Sequence, residues 1–90
     1  MINQSVPPSL NAMFRLQWEQ AQECFVLLFP EGMVKLNGSA GEIMQLVDGK
    51  NKIADIISIL HKKFPEAGDL TDDVHEFLIA AYEKKWLYYE

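Results

Sequence analysis

His61 and His75 are the two imidazoles of this 90-residue chain, and Cys24 is its single thiol. A protein metal centre needs three or four ligands at recognisable spacings. The two histidines fall on different predicted helices and no third ligand at a recognisable spacing joins them, so they read as solvated or core-edge residues. One cysteine can form neither an internal disulfide nor a thiolate cage, and Cys24, opening an apolar run, reads as a small buried hydrophobe and not as a nucleophile. Asp48, Asp69, Asp72 and Asp73 fall at predicted helix ends, where carboxylates cap backbone donors or complement the helix dipole, and nothing pairs them as acid and base. Gly38 and Gly41 flank a helix start, but no lysine-bearing phosphate loop and no dinucleotide fingerprint surrounds them. The expectation is a chain with no catalytic residue, no metal site and no cofactor of its own, working by recognition.

Composition narrows what is recognised. The chain carries 8 Lys+Arg against 13 Asp+Glu, a formal net charge of −5. Non-specific affinity for nucleic acid comes from clustered cations that neutralise phosphates, so the acidic balance argues against a nucleic-acid partner. The longest apolar run, Cys24 to Phe29, falls far short of the ~20 residues of a membrane-spanning helix. The start at Met1 lacks the charged and apolar regions of a secretory signal, and a lone cysteine fits a reducing compartment. A cytoplasmic protein that does not enter the membrane is expected.

The elements that would carry a recognition surface follow from periodicity. Residues 1–11, with Pro7-Pro8 and little apolar material, read as a flexible arm, and residues 12–90 as one domain with room for one core. Phe14, Leu16 and Trp18 alternate with Arg15 and Gln17, a strand over Met13 to Trp18. The continuous run Cys24 to Phe29 reads as a central strand, Pro30-Glu31-Gly32 as a turn, and Met33 to Leu36 as a third strand. Ser39 with Glu42 three residues on has the form of a capping box opening a helix that ends at Asp48-Gly49. Ile53, Ile56, Ile57, Leu60 and Phe64 trace a second helix stopped by Pro65. A third runs from about Leu70 or Thr71 to Lys85, with Asp69 or Thr71 as its N-cap. Three antiparallel strands followed by three helices make the fold α+β and winged-helix-like.

Two features exceed what folding requires. On the third helix the residues Phe77, Ala81, Val74, Leu78, Tyr82, His75, Trp86 and Ile79 fill an arc of roughly 200°, where a core-facing stripe needs little more than ~100°. The third strand, last in a three-strand meander, falls at a sheet edge guarded only by Lys35, and an edge offers unpaired backbone groups to an extended peptide. The plainer readings are an arc covered by the chain's own ends and an edge blunted by Lys35.

Specific segments then point to a family. RLQWEQAQ at Arg15 to Gln22, VLLFPEGMVKLN at Val26 to Asn37, SAGEI at Ser39 to Ile43, Asp48-Gly49 and KWL at Lys85 to Leu87 resemble the PqqD family of pyrroloquinoline quinone (PQQ) biosynthesis, within the wider group of RiPP recognition elements. Phe29 stands where that family commonly has tyrosine, and Lys52 where a threonine would cap the second helix. The resemblance implies a non-catalytic peptide chaperone that binds the ribosomal precursor PqqA and presents it to the radical SAM enzyme PqqE. The enzyme's clusters and S-adenosylmethionine would belong to that partner. It further implies that the peptide lies as an added strand along Met33, Val34, Lys35 and Leu36, pairing with the backbone of the last three, while Val74, Leu78, Ala81 and Tyr82 line the groove. On that reading Leu78→Asp weakens peptide binding in a protein that stays folded.

The alternatives are a winged-helix nucleic-acid binder and a structural homodimer. The first would need basic residues on a recognition helix, where this chain has Asp72, Asp73, Glu76 and Glu83. The second would use the same open edge on a second copy, so either a monomer or a weak homodimer is compatible with the sequence.

Overall fold

Alternating side chains build the sheet. In the computed structural model, which describes residues 5–89, strands β2 (Arg15–Glu19), β3 (Cys24–Phe29) and β4 (Gly32–Lys35) form an antiparallel sheet in the order β2-β3-β4. Leu16 sits opposite Leu27, and Leu27 opposite Val34, so side-chain parity collects these residues on one face, where Leu27 is fully buried. Trp18 is paired with Phe25 on the same face, the two rings meeting edge to face at 5.1 Å.

Three helices follow, α1 (Gly38–Met44), α2 (Ile53–Lys63) and α3 (Thr71–Glu83), with a 3₁₀ turn at Pro65–Ala67 between the last two. Helix α1 comes close to β3 because Gly41 has no side chain: a Cβ there would lie 3.2 Å from the Phe25 ring. Leu27, Leu36, Ile43, Ile56, Leu60 and Leu78 belong to the one core between sheet and helices. The α+β order of three strands and then three helices is the expected one. Among the described residues, no helix is long and apolar enough to cross a membrane.

Several local expectations are corrected. Pro8–Leu10, expected within a flexible arm, forms strand β1, which pairs antiparallel with a C-terminal strand β5 (Leu87–Tyr89). Asn11 reinforces this closure by donating its side-chain amide to the Lys85 carbonyl at 2.8 Å, while its backbone N–H reaches the Trp86 carbonyl, also at 2.8 Å. The ordered fold therefore begins by Pro8 and not at residue 12; residues 1–4 of the expected arm lie outside the described residues.

The capping box is also misplaced. Asn37, not Ser39, caps α1, its side-chain oxygen accepting from the Ala40 N–H at 2.8 Å, and Glu42 accepts instead from Lys63 of α2 at 2.6 Å. Helix α1 ends at Met44, short of Asp48-Gly49. Gly49 serves the terminal sheet: at φ +78°, with Ser9 Oγ 2.9 Å from where a Cβ would stand, it donates its N–H to the Pro8 carbonyl. At α2, Asp55 accepts from the Lys52 N–H at 2.9 Å and supplies the cap interaction that a lysine side chain has no acceptor to make. Leu70 is the N-cap residue of α3, while Asp69 accepts from the Thr71 N–H at 2.9 Å.

Candidate functional site

Strand β4 has β3 on one side and, among the described residues, no strand on the other. Which of its backbone groups face outward follows from the ladder. The Leu36 N–H donates to the Phe25 carbonyl at 2.9 Å, and Leu36 opposite Phe25 continues the register that pairs Val34 with Leu27 and Gly32 with Phe29. Hydrogen-bonded pairs in an antiparallel ladder recur every second residue, so Val34 and Leu36 direct their backbone groups at β3, and Met33 and Lys35 direct theirs to the free edge. Of Val34, Lys35 and Leu36, expected to offer their backbone to a peptide, Val34 and Leu36 are turned to β3, and the groups at the edge are those of Met33 and Lys35. Side chains run the other way: Met33 is 44% exposed and Lys35 exposed, whereas Val34 is half-buried and Leu36 buried on the core face.

On α3 the expected groove residues separate. Val74, Leu78 and Ala81 form its buried stripe, and Leu78 has no exposed surface at all. Leu78 and Ala81 are core residues and not an open wall, so Leu78→Asp would place a carboxylate in the core and unfold the protein, contrary to the expectation above. Tyr82, 36% exposed, lies on one flank of that stripe with its ring 5.6 Å from Tyr89 of β5. The Tyr89 hydroxyl is buried without a hydrogen-bond partner among the described residues, and burial, with Tyr82 beside it, pushes its pKa up to about 12.

The concave surface lies on the other flank. A cavity of about 730 Å³, within the range of ligand sites, begins where β4 ends, at Asn37, Gly38 and Ser39, and reaches Phe64, Leu70 and Phe77. Of the expected α3 residues only Val74 contributes to its lining, together with Asp73 and Glu76. Sequence reasoning missed Phe64, Leu70, Asp73, Glu76 and Phe77 as lining residues. The available signal was Phe77, already within the surplus apolar arc, and the break at Pro65, which turns Phe64 out of the end of α2 to 37% exposure.

His61 and Asp69 hold the start of α3, next to the lining residue Leu70. The Leu70 N–H donates to His61 Nε2 at 3.0 Å, which ties the first residues of α3 to α2, and Asp69 Oδ1 stands 3.5 Å from the same nitrogen. Hydrogen bonds from the side chain and backbone of Thr71 hold the Asp69 carboxyl below its ordinary pKa. His75 and Cys24 are only partly buried, and among the described residues no three His, Cys, Asp or Glu side chains converge as a metal-binding set. An open strand edge followed in the chain by the lip of an apolar concavity suits an extended peptide: main-chain hydrogen bonds supply affinity, and side-chain pockets supply selectivity.

Residues 24–87 match the family model described as coenzyme PQQ synthesis protein D (PqqD). The chain belongs to the PqqD family. It is 55% identical over 74 residues to the PqqA binding protein of Klebsiella pneumoniae (strain 342), covering 82% of this chain and 80% of the relative. It is 52% identical over 80 residues to the PqqA binding protein of Azotobacter vinelandii, covering 89% and 87%. Its fold matches the solution NMR structure of the PqqD truncation of Methylobacterium extorquens PqqCD, described as a functional, stand-alone RiPP recognition element. That match has a TM-score of 0.77 at 28% identity and covers 98% of this chain and 95% of the other. The three-strand, three-helix order assigned from sequence is thus that of a PqqD-family recognition element.

Proposed function

We propose that the chain binds the precursor peptide PqqA as a fourth strand on the edge of β4 and presents it to the radical SAM enzyme PqqE, as a non-catalytic chaperone of PQQ biosynthesis acting in the cytoplasm. The observation that carries this reading is the open edge of β4, followed in the chain by Asn37–Ser39 at the lip of the cavity, in a chain similar to proteins named for binding PqqA. Met33 and Lys35 are the residues whose backbone groups pair with the peptide, and the Phe77 flank of α3 receives its side chains. No cofactor is needed on this chain, because the redox chemistry belongs to the partner enzyme. The chaperone works as a monomer, or as a weak homodimer whose edge pairing the peptide displaces.

Lys35→Pro tests this directly. Proline is tolerated on an edge strand where the N–H it removes faces solvent, so the variant folds, but it loses one outward donor and its ring obstructs an incoming strand. PqqA affinity measured by calorimetry falls about tenfold or more, as the loss of one strand-pairing hydrogen bond with added obstruction implies. A folded Lys35→Pro protein that binds PqqA as tightly as the parent would refute strand addition on this edge.

A further inference from the structure

The cavity at Asn37–Ser39, just after β4, is lined by both apolar and acidic side chains. Ile43, Leu60, Phe64, Leu70 and Phe77 supply its apolar wall, and Glu42, Asp73 and Glu76 its carboxylates. The three acids are not equivalent. Glu42 is neutralised by Lys63 at 2.6 Å, and Lys63 is in turn held 5.6 Å over the Phe64 ring. Asp73 and Glu76 have no cationic side chain within ion-pair distance among the described residues. Asp73 has a second reason to be acidic, since it lies in the first turn of α3 where the helix dipole favours a negative charge; Glu76, one turn further on, has none. Spaced three apart, the two carboxylates are neighbours on the helix surface, and Asp73 also adjoins Phe77 four residues on.

We infer that this cavity selects a peptide segment in which an apolar side chain fills the space beside Phe77 and a lysine or arginine two residues away along the strand reaches Asp73 and Glu76. The inference rests on the peptide-binding reading above and adds a charge requirement to it. In an extended segment, alternate residues point the same way, so an anchor and a cation two positions apart present to the same wall. A carboxylate at that position meets two like charges on a chain of net charge −5 and is rejected. The acidic pair thereby contributes selectivity and encounter rate more than raw affinity.

The test compares the parent with the double variant Asp73→Asn/Glu76→Gln, both sites being exposed and outside the core. Labelled PqqA is titrated at low and at high salt, and two otherwise identical alternating synthetic peptides, with Lys or with Glu two residues from a single Phe, compete for its site. The double variant binds PqqA about threefold to tenfold more weakly at low salt, as two exposed ion pairs allow, and the gap closes at high salt. The Lys peptide outcompetes the Glu peptide on the parent and loses that advantage on the variant. Equal PqqA affinity of parent and variant at low salt, or equal competition by the two peptides on the parent, overturns the charge requirement while leaving peptide binding intact. A parent that does not bind PqqA at all removes the reading beneath it.

Discussion

Helix α3 has two apolar flanks beside its buried stripe, and they meet different surroundings. On one, Tyr82 packs its ring on Tyr89 of β5, whose strand is held by pairing with β1. On the other, Phe77 lies 6.4 Å from the Trp86 ring and lines a cavity shared with the start of α1 and the end of α2. Both flanks carry an aromatic ring set against a residue that follows the helix, so the rings do not distinguish them. The distinction comes from what else is near. One flank borders the terminal sheet, and the other faces a concavity where Asp73 and Glu76 have no ion-pair partner among the described residues. Aromatic surplus on a helix marks a binding surface only where neighbouring elements leave it concave.

Three perturbations sharpen that contrast. The largest effect is expected at the stripe between the flanks: Leu78→Asp buries an unpaired carboxylate and costs about 3–5 kcal/mol of folding stability, measured by chemical denaturation. A stable Leu78→Asp protein would mean that the stripe, and not a flank, is open to solvent. Next, Phe77→Ala removes the ring from the cavity wall and weakens PqqA binding about tenfold, in keeping with the loss of a buried aromatic contact of ~1–2 kcal/mol. Tyr82→Ala leaves affinity within about twofold, although it loses its partner Tyr89. Equal losses from the two substitutions would erase the distinction between the flanks.

The smallest effect lies in the terminal closure. Asp48 accepts from the backbone N–H groups of Lys50 and Asn51, each at 2.9 Å, and from the Asn51 side chain at 3.1 Å. The hydrogen bonds from Asn51 and then Lys50 hold its carboxyl below the ordinary 3.8. A folded-state pKa below the unfolded one stabilises the protein above that unfolded value and is lost as pH falls through the folded one. Acidification below about pH 4 therefore removes a few tenths of a kcal/mol at this exposed loop, and Asp48→Asn flattens that part of the stability profile. Peptide affinity is unaffected by the substitution, since Asp48 borders β1 and not the cavity.

The sequence made the sheet and the helices legible because their signals are local. Alternation at Leu16 and Trp18, the continuous run from Cys24 and the Ile53–Leu60 spacing each decide an element within a few residues. What it hid depends on distant partners. Pro8–Leu10 becomes a strand only because Leu87–Tyr89, at the far end of the chain, pairs with it. Ser39 and Glu42 fit a capping box, yet Asn37 is as good a cap and Lys63 of the next helix claims Glu42. The site divided in the same way. The edge of Met33 to Leu36 was readable from strand order, whereas which flank of α3 is concave depends on β5 and α1, which no helical wheel includes.

The central claim is that peptide binds along β4 and against the Phe77 flank, and it is tested most directly by titrating isotope-labelled protein with PqqA while following backbone amide and aromatic side-chain resonances by NMR. The account predicts saturable shifts concentrated at Met33 and Lys35, Asn37–Ser39 and Phe77, with Tyr82 and Tyr89 nearly unmoved. Shifts centred on Tyr82 and β5, with β4 silent, would contradict it.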